Sequence, residues 1–198
     1  QVKSQSQQIL EWGKEHANCV KQADQASDAE RFWEVRRGCS SAMFAHGDSK
    51  LNEDIIVPLQ SQLKLIRFLR ALRKESGLHI PTFGHAADGN FHVNIMFHRE
   101  NKDECQRAHR AVRRVMEKVV ELGGAISGEH GIGLAKSPFL RLQYQQTELD
   151  AMLAVKHALD PQGILNPGKL FEPFEVGDKA REPVELPWDH KRVPTLSK

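Results

Sequence analysis

Residues 78–97, LHIPTFGHAADGNFHVNIMF, hold two β-forming runs on either side of a polar turn. The runs at 78–83 and 91–97 contain the branched and aromatic residues that favour strands. Between them, the Gly, Asn and Asp residues of 86–90 tolerate the positive φ angles that tight turns require. This stretch therefore predicts an antiparallel β-hairpin.

Two histidines flank the turn of this hairpin. His85 ends the first strand and His92 begins the second, so paired strands bring both imidazoles to one face, within reach of a shared ion. Alternation along the second strand places His92, Asn94 and Met96 on this face. The alternative is that the rings satisfy only backbone groups, because two histidines alone make a weak metal site. The apolar residues expected on the opposite, core-facing side are Val93, Ile95 and Phe97.

A second motif, SGEHGIG at 127–133, sets two titratable side chains among glycines. The glycines allow the backbone to approach a ligand closely. Glu129 could complete a His-His-Glu set with His85 and His92, which is ligation typical of a catalytic zinc site. His130, beside the ion but not bound to it, could act as a general base. The alternative is a glycine-rich loop with a surface glutamate and histidine.

Apolar residues at helical spacing place the remaining elements. Ser27, with Glu30 three residues later, predicts the N-cap of a helix and its capping box. Helices that alternate with short strands favour an α+β fold, in which an antiparallel sheet is covered by helices on one face. The predicted helices lie at 7–22, 27–44, 59–76, 102–122 and 147–158, with a strand at 51–58 and an extended piece at 125–127.

Composition limits the class of protein. The chain has 198 residues, 39% of them hydrophobic, and a formal net charge of +2. That suffices for one well-packed core, and the near-neutral charge argues against a dedicated nucleic-acid binder. No apolar run approaches the roughly 20 residues that span a bilayer. The three cysteines form no disulfide framework, which suits a reducing cytosol. We expect a cytoplasmic protein, peripheral at the membrane through its parent if at all.

Three parts follow one another along the chain. A polar helical segment occupies 1–26, the main domain 27–172, and a proline-rich linker or arm 173–198. Because the sequence opens at Gln1 without a methionine and closes in this arm, we expect a fragment of a longer protein.

Four stretches together resemble a known family. They are EDIIVP at 53–58, GHAADGNFHVNI at 84–95, SGEHGIGLAK at 127–136 and LDPQGILNPGKLF at 159–171. In this order they resemble signatures of the C-terminal substrate domain of FAD-linked oxidases, over residues 27–172. The family includes D-lactate dehydrogenases, the glycolate oxidase flavoprotein subunit and D-2-hydroxyglutarate dehydrogenases. The resemblance implies a ferredoxin-like α+β cap, with a helical C-terminal subregion, over a flavin held by a separate N-terminal FAD domain.

The resemblance also assigns roles at the two histidine motifs. His85, His92 and Glu129 match metal ligands, for a divalent ion that we expect to be zinc. His130 matches the catalytic base, and Asn94 matches a residue beside the substrate.

Substrate-binding residues are assigned in the same way. Arg36, in FWEVRRGCS, matches an arginine that binds the substrate carboxylate, and Ser40 falls where relatives have a Thr or Ser contact. Asn52 stands where some relatives have a lysine for a second carboxylate. This departure puts a dicarboxylate substrate in doubt, with Lys50 and Lys136 as substitutes.

The closing motif approaches the flavin in this family, so the resemblance implies cofactor contact at Asn166 and Gly168. The stretch at 187–190 faintly resembles the arm that leads to an iron–sulfur module in longer members. The expected function is the oxidation of a D-2-hydroxy acid to the 2-oxo acid, with hydride transfer to FAD. The chain alone, without an FAD domain, is expected to be inactive. The rival is a non-catalytic, metal-stabilised interaction domain of a larger redox protein.

Overall fold

The computed structural model describes residues 2–167 and 169–171, with side chains from residue 4 onward. Two compact units follow one another along the chain, and the division lies between Ala45 and His46. The predicted arm, including 187–190, and the predicted flavin contact Gly168 lie outside the described residues. Within the described part, no helix has both the length and the apolar character needed to cross a membrane.

The first unit contains two helices, α1 at Val2–His16 and α2 at Ala26–Ala42. Helix α1 begins and ends earlier than the predicted 7–22. The predicted N-cap at Ser27 is wrong, because the extended residue before α2 is Gln25. The Gln25 carbonyl accepts from the N–H groups of Asp28 and Ala29, which places Ser27 in the first turn.

The second unit is built on a three-stranded antiparallel sheet in the order β1-β3-β2. An isolated bridge between Ile56 and Ala125 lies at the other edge of β1, where a ferredoxin-like fold would have its fourth strand. The predicted α+β class is confirmed. The elements are β1 at Ser49–Ile56, α3 at Gln62–Ser76, β2 at Thr82–His85, β3 at Asn90–Phe97, α4 at Lys102–Glu121, α5 at Leu140–Gln143 and α6 at Gln146–Leu159. Short 3-10 turns lie at Met43–His46, Leu59–Ser61 and Ser137–Phe139.

The hairpin forms as predicted, but its first strand begins later than residue 78. The carbonyls of His79 and Pro81 already accept from the N–H groups of Met96 and Asn94, at 2.9 and 3.0 Å. Pro81 has no N–H with which to return a hydrogen bond, so a regular ladder starts only at Thr82. The proline therefore explains why the first strand is shorter than the sequence pattern indicates.

The β3 strand separates an apolar side from the side that carries the histidines. Val93 and Ile95 are completely buried, and they pack in the main core with residues of α3 and α4. Two residues of β2, Phe83 and His85, pair with His92 and Asn90 of β3. His85 and His92 are thus diagonal neighbours on one face of the hairpin, the shared face that the sequence predicted. The core residues of α4 are Ala108, Ala111, Val112, Val115, Met116 and Val119.

The hairpin turn packs closely against the end of β1 at Gly89, and substitution of this glycine tests that contact. Its φ is +80°, and a Cβ there would lie 2.1 Å from the Val57 carbonyl oxygen. Gly163 also has positive φ, at +65°, but open space around it. Both glycine-to-alanine changes pay a backbone cost of ~1–2 kcal/mol, and only Gly89→Ala adds a clash. We expect its loss of unfolding free energy, from urea denaturation, to exceed that of Gly163→Ala by at least ~1 kcal/mol; equal losses would contradict tight docking.

Candidate metal centre

Three predicted ligands meet in the second unit. One ligand atom each of His85, His92 and Glu129 lies within 4.8 Å of the other two. Nε2 of His92 is 3.4 Å from Oε1 of Glu129. Two ligands bound tetrahedrally to one zinc ion lie about 3.4 Å apart, given bonds of about 2.1 Å. The His85 ring meets the His92 ring edge-on, with centroids 6.0 Å apart. The donor atoms and their spacing therefore fit a divalent metal.

His130 adjoins this cluster, as the sequence predicted. Its ring stacks on that of His92 with centroids 5.4 Å apart, and its Nε2 lies 3.7 Å from Oε1 of Glu129. The His92 side chain is 12% exposed, whereas that of His130 is 55% exposed. The cluster thus combines a nearly buried imidazole with an accessible one. Such an accessible imidazole can exchange a proton with a molecule placed over the cluster.

The loop that carries Glu129 and His130 is tied to the buried carboxylate of Asp54. Oδ2 of Asp54 accepts from three successive backbone N–H groups, those of Gly128, Glu129 and His130, at 2.9, 2.8 and 2.8 Å. The hydroxyl of Ser127 lies 3.2 Å from the same oxygen. Sequence reasoning gave Asp54 no role. The available signal was an acidic residue directly before the apolar run at 55–57.

Asn90 completes the surroundings of Asp54 from the side of the hairpin. Its Nδ2 donates to Oδ1 of Asp54 at 2.8 Å, while its own Oδ1 is buried without a hydrogen-bond partner among the described residues. A Cβ on Gly128 would lie 2.1 Å from Nδ2 of Asn90 and 2.7 Å from Oδ1 of Asp54. Close approach of the loop to this pair therefore requires glycine at position 128.

The charge of Asp54 is stabilised in the interior. Burial alone would raise the pKa of this carboxyl. Hydrogen bonds from His130, Glu129 and Asn90, together with the positive charge of Lys136, instead hold its pKa well below the usual range. Asp54 therefore remains an anion, and an anion can only accept hydrogen bonds, which suits the donors around it.

Lys136 has partners other than the predicted substrate. It is 5% exposed, and its Nζ donates to the backbone carbonyl of Asp54 and lies 3.7 Å from the Asp54 carboxylate. Burial lowers the pKa of Lys136, and the charges of Glu53 and Asp54 oppose that shift. The structure thus places Lys136 as an internal counter-charge to Asp54.

Asn94 lies on the predicted face, but its amide is used within the protein. It is completely buried; its Oδ1 accepts from Asn52 at 2.9 Å, and its Nδ2 donates to the carbonyls of Pro81 and His92 at 3.3 and 3.2 Å. These bonds hold the backbone of the strand that carries His92. Contact of Asn94 with substrate stays a prediction. Lys50, half-buried, pairs with Met96 on this same face.

Three other predicted site residues, Arg36, Ser40 and Asn166, lie outside the elements that form the metal centre. Arg36 and Ser40 are exposed on α2 of the first unit. Asn166 is exposed in a turn with a φ of 47°, and its carbonyl accepts from the N–H of Lys169 at 3.3 Å. Substrate and flavin contacts by these residues stay predictions.

Comparison with known proteins places this site in a family. The profile of FAD linked oxidases, C-terminal domain, matches residues 2–170. The chain belongs to this family. The match reaches into the polar segment 1–26, which the sequence pattern set apart from the main domain. The histidine cluster lies within the matched residues of this FAD-linked oxidase domain.

Individual relatives agree with this assignment. The domain is 38% identical to the glycolate oxidase subunit GlcD of Bacillus subtilis, over 77% of this chain and 32% of the relative. It is 32% identical to a probable mitochondrial D-lactate dehydrogenase of Danio rerio, over 76% and 31%. It is 29% identical to a D-2-hydroxyglutarate dehydrogenase of Xanthomonas citri pv. viticola, over 79% and 33%. The chain thus spans about one third of the length of the curated relatives it matches.

Glu53 is next to Asp54 in β1, but it lies on the core-facing side with Leu51 and Ile55. Its burial makes a prediction about how stability depends on pH. It is 5% exposed. Burial raises the pKa of Glu53 to about 7, with a further increase from Asp54, while Lys136 opposes the shift. At pH values between the usual glutamate pKa and about 7, the Glu53 carboxyl is protonated in the folded chain but ionised in the unfolded chain. The stability that Glu53 contributes therefore falls as pH rises through this window.

We expect Glu53→Gln to remove this dependence. The unfolding free energy of the variant is measured in urea relative to the unsubstituted chain. This difference should rise from pH 5 to about pH 7 and level off by pH 8. Glu100→Gln, which changes an exposed glutamate, is the matched control. A constant difference for Glu53→Gln across this range would show that the buried carboxyl does not take up a proton.

Proposed function

We propose that this domain forms the metal- and substrate-binding side of a flavin-dependent dehydrogenase that oxidises a D-2-hydroxy acid to the 2-oxo acid. The observation that carries the proposal is the cluster of His85, His92 and Glu129 with His130 against it. The relatives support it, because their names describe a glycolate oxidase subunit, D-lactate dehydrogenases and a D-2-hydroxyglutarate dehydrogenase. Their common substrate class is a small 2-hydroxy acid.

The donor set defines the expected cofactor. Two imidazoles and one carboxylate are ligands typical of catalytic zinc, with a fourth position left open. We assign His85, His92 and Glu129 to hold the ion. When bound, the metal would polarise the substrate oxygen as a Lewis acid, and FAD, held mainly by another domain of the complete protein, would accept the hydride.

The chain's own residues would orient the substrate and move one proton. Arg36 would pair with the substrate carboxylate, whose two oxygens match the fork of a guanidinium. Neutral His130 would accept the proton of the 2-hydroxyl at a ring nitrogen, and the C2–H bond would break with its electron pair leaving as hydride. Lys50 is the remaining candidate for a second carboxylate.

Removing one ligand tests the metal centre in this chain. We expect His92→Ala to lower zinc affinity more than ~100-fold, beyond the ~10–100-fold typical for residues that only support a ligand. Competition with a chromophoric chelator measures the affinity. His98→Ala is the matched control, because His98 also pairs with a glutamate, Glu104, at 2.9 Å. Equal zinc affinity in His92→Ala and the unsubstituted chain would disprove the ligand assignment.

Removing the base tests the chemistry in the complete flavin-containing protein. We expect His130→Ala to lower turnover of a 2-hydroxy acid by ~10²–10⁴-fold while zinc content is retained, because His130 moves the proton without holding the ion. Zinc content is measured by atomic emission and turnover by flavin reduction.

The substrate screen separates the enzyme from the rival interaction domain. D-lactate, glycolate and D-2-hydroxyglutarate should be tried with the unsubstituted complete protein, before and after EDTA treatment. Reduction of the flavin by one of these, lost with EDTA, is the expected result. A protein that binds flavin and zinc but responds to no 2-hydroxy acid would be the outcome expected of a metal-stabilised interaction domain.

A further inference from the structure

The candidate metal centre joins two elements that are distant along the chain. His92 belongs to the rigid β3 strand, whereas Glu129 and His130 belong to an irregular loop whose side chains are about half exposed. Burial of their own side chains therefore contributes little to fixing Glu129 and His130. The position of this loop must be set mainly through its backbone.

The backbone of the loop is held by one oxygen atom. Three successive N–H groups, from residue 128 to residue 130, converge on Oδ2 of Asp54. Successive N–H groups that point to one centre form a concave anion-binding site. Here the anion is part of the protein, completely buried. A carboxylate in this place thus fixes the backbone from which Glu129 and His130 project.

The same carboxylate is fixed relative to the histidine strand. Asp54 is the direct cross-strand partner of His92 in the pairing of β1 with β3. Its other oxygen accepts from Asn90, two residues before His92. Asp54 therefore bonds to the backbone of the loop and to a side chain of the histidine strand at once.

We propose that Asp54 is the positioning residue of the metal centre, which sets Glu129 and His130 against His92 without touching the ion. This inference rests on the proposed metal-binding function. A residue that only stabilised the fold would not affect metal affinity in a chain that stays folded. Loss of a positioning residue must lower metal affinity even when the chain remains folded. Residues that support metal ligands typically contribute ~10–100-fold in affinity.

Asp160 provides a matched control elsewhere in the same unit. It is also a buried carboxylate, 4% exposed, that accepts two backbone N–H groups of a loop, those of Ile164 and Leu165, at 3.1 and 2.9 Å. It is also paired with a lysine, Lys156. Asp160→Ala should therefore reproduce the general cost of losing such a carboxylate, while zinc affinity stays within twofold of the unsubstituted chain.

The experiment measures zinc affinity and amide hydrogen exchange on the chain. Asp54→Ala should lower zinc affinity ~10–100-fold and speed exchange in the peptide that spans 127–133, measured without metal. Asp54→Asn is the milder variant. Its Oδ1 can still accept from the loop. Its Nδ2 can donate to Oδ1 of Asn90, which has no hydrogen-bond partner among the described residues, once the Asn90 amide rotates. We expect it to fold and to show a smaller loss of affinity.

The outcomes separate this proposal from the proposed function. If the unsubstituted chain binds no zinc, the metal centre itself is wrong. If that chain binds zinc and either folded Asp54 variant keeps its full affinity, only the positioning role is wrong. Fast exchange of the amides of residues 128–130 in the unsubstituted, metal-free chain would also overturn the positioning role, and this measurement does not depend on whether a variant folds.

Discussion

The candidate site depends on one buried charge, the carboxylate of Asp54. Moving an isolated carboxylate into the protein interior costs several kcal/mol, which only good hydrogen bonds and a counter-charge can offset. Here the donors are three backbone N–H groups, the hydroxyl of Ser127 and the amide of Asn90. The counter-charge is the ammonium of Lys136, 3.7 Å from the carboxylate. Because each donor comes from a specific place in the fold, satisfying this charge requires the loop, the hairpin and β1 to assemble in one arrangement.

The position of Asp54 in the sheet explains how the loop obtains its shape. Strand β1 pairs with β3 along one edge, and at its other edge the chain forms a single bridge, between Ile56 and Ala125. Beyond this bridge the chain bonds to the side chain of Asp54 instead of continuing a ladder. A regular strand would send Glu129 and His130 to opposite faces. Released from that alternation, both side chains lie beside His92.

The sequence predicted those parts of the site that follow from local periodicity. His85 and His92 share a face because both lie in a hairpin, where side-chain alternation is reliable, and the apolar side of β3 followed from the same rule. The sequence did not predict the role of Asp54, because its partners come from residues more than thirty positions away and no local pattern links them. The start of β2 was missed for another reason, since Pro81 interrupts a ladder that the strand propensities alone would extend.

Three of the four motifs that resemble the family's signatures meet at the carboxylate of Asp54. Asp54 lies in EDIIVP, Asn90 in GHAADGNFHVNI, and residues 128–130 in SGEHGIGLAK. The presence of all three motifs in one chain has a physical explanation, because each supplies a part that the other two need. The first supplies the anion and the second supplies the amide that orients it. The third supplies a loop that approaches both groups closely only because residue 128 is glycine. The fourth motif uses the same device separately, since Asp160 accepts from the N–H groups of Ile164 and Leu165. At Asp54, a buried aspartate that holds an irregular loop thus lets a small sheet carry polar side chains in positions that regular strands cannot provide.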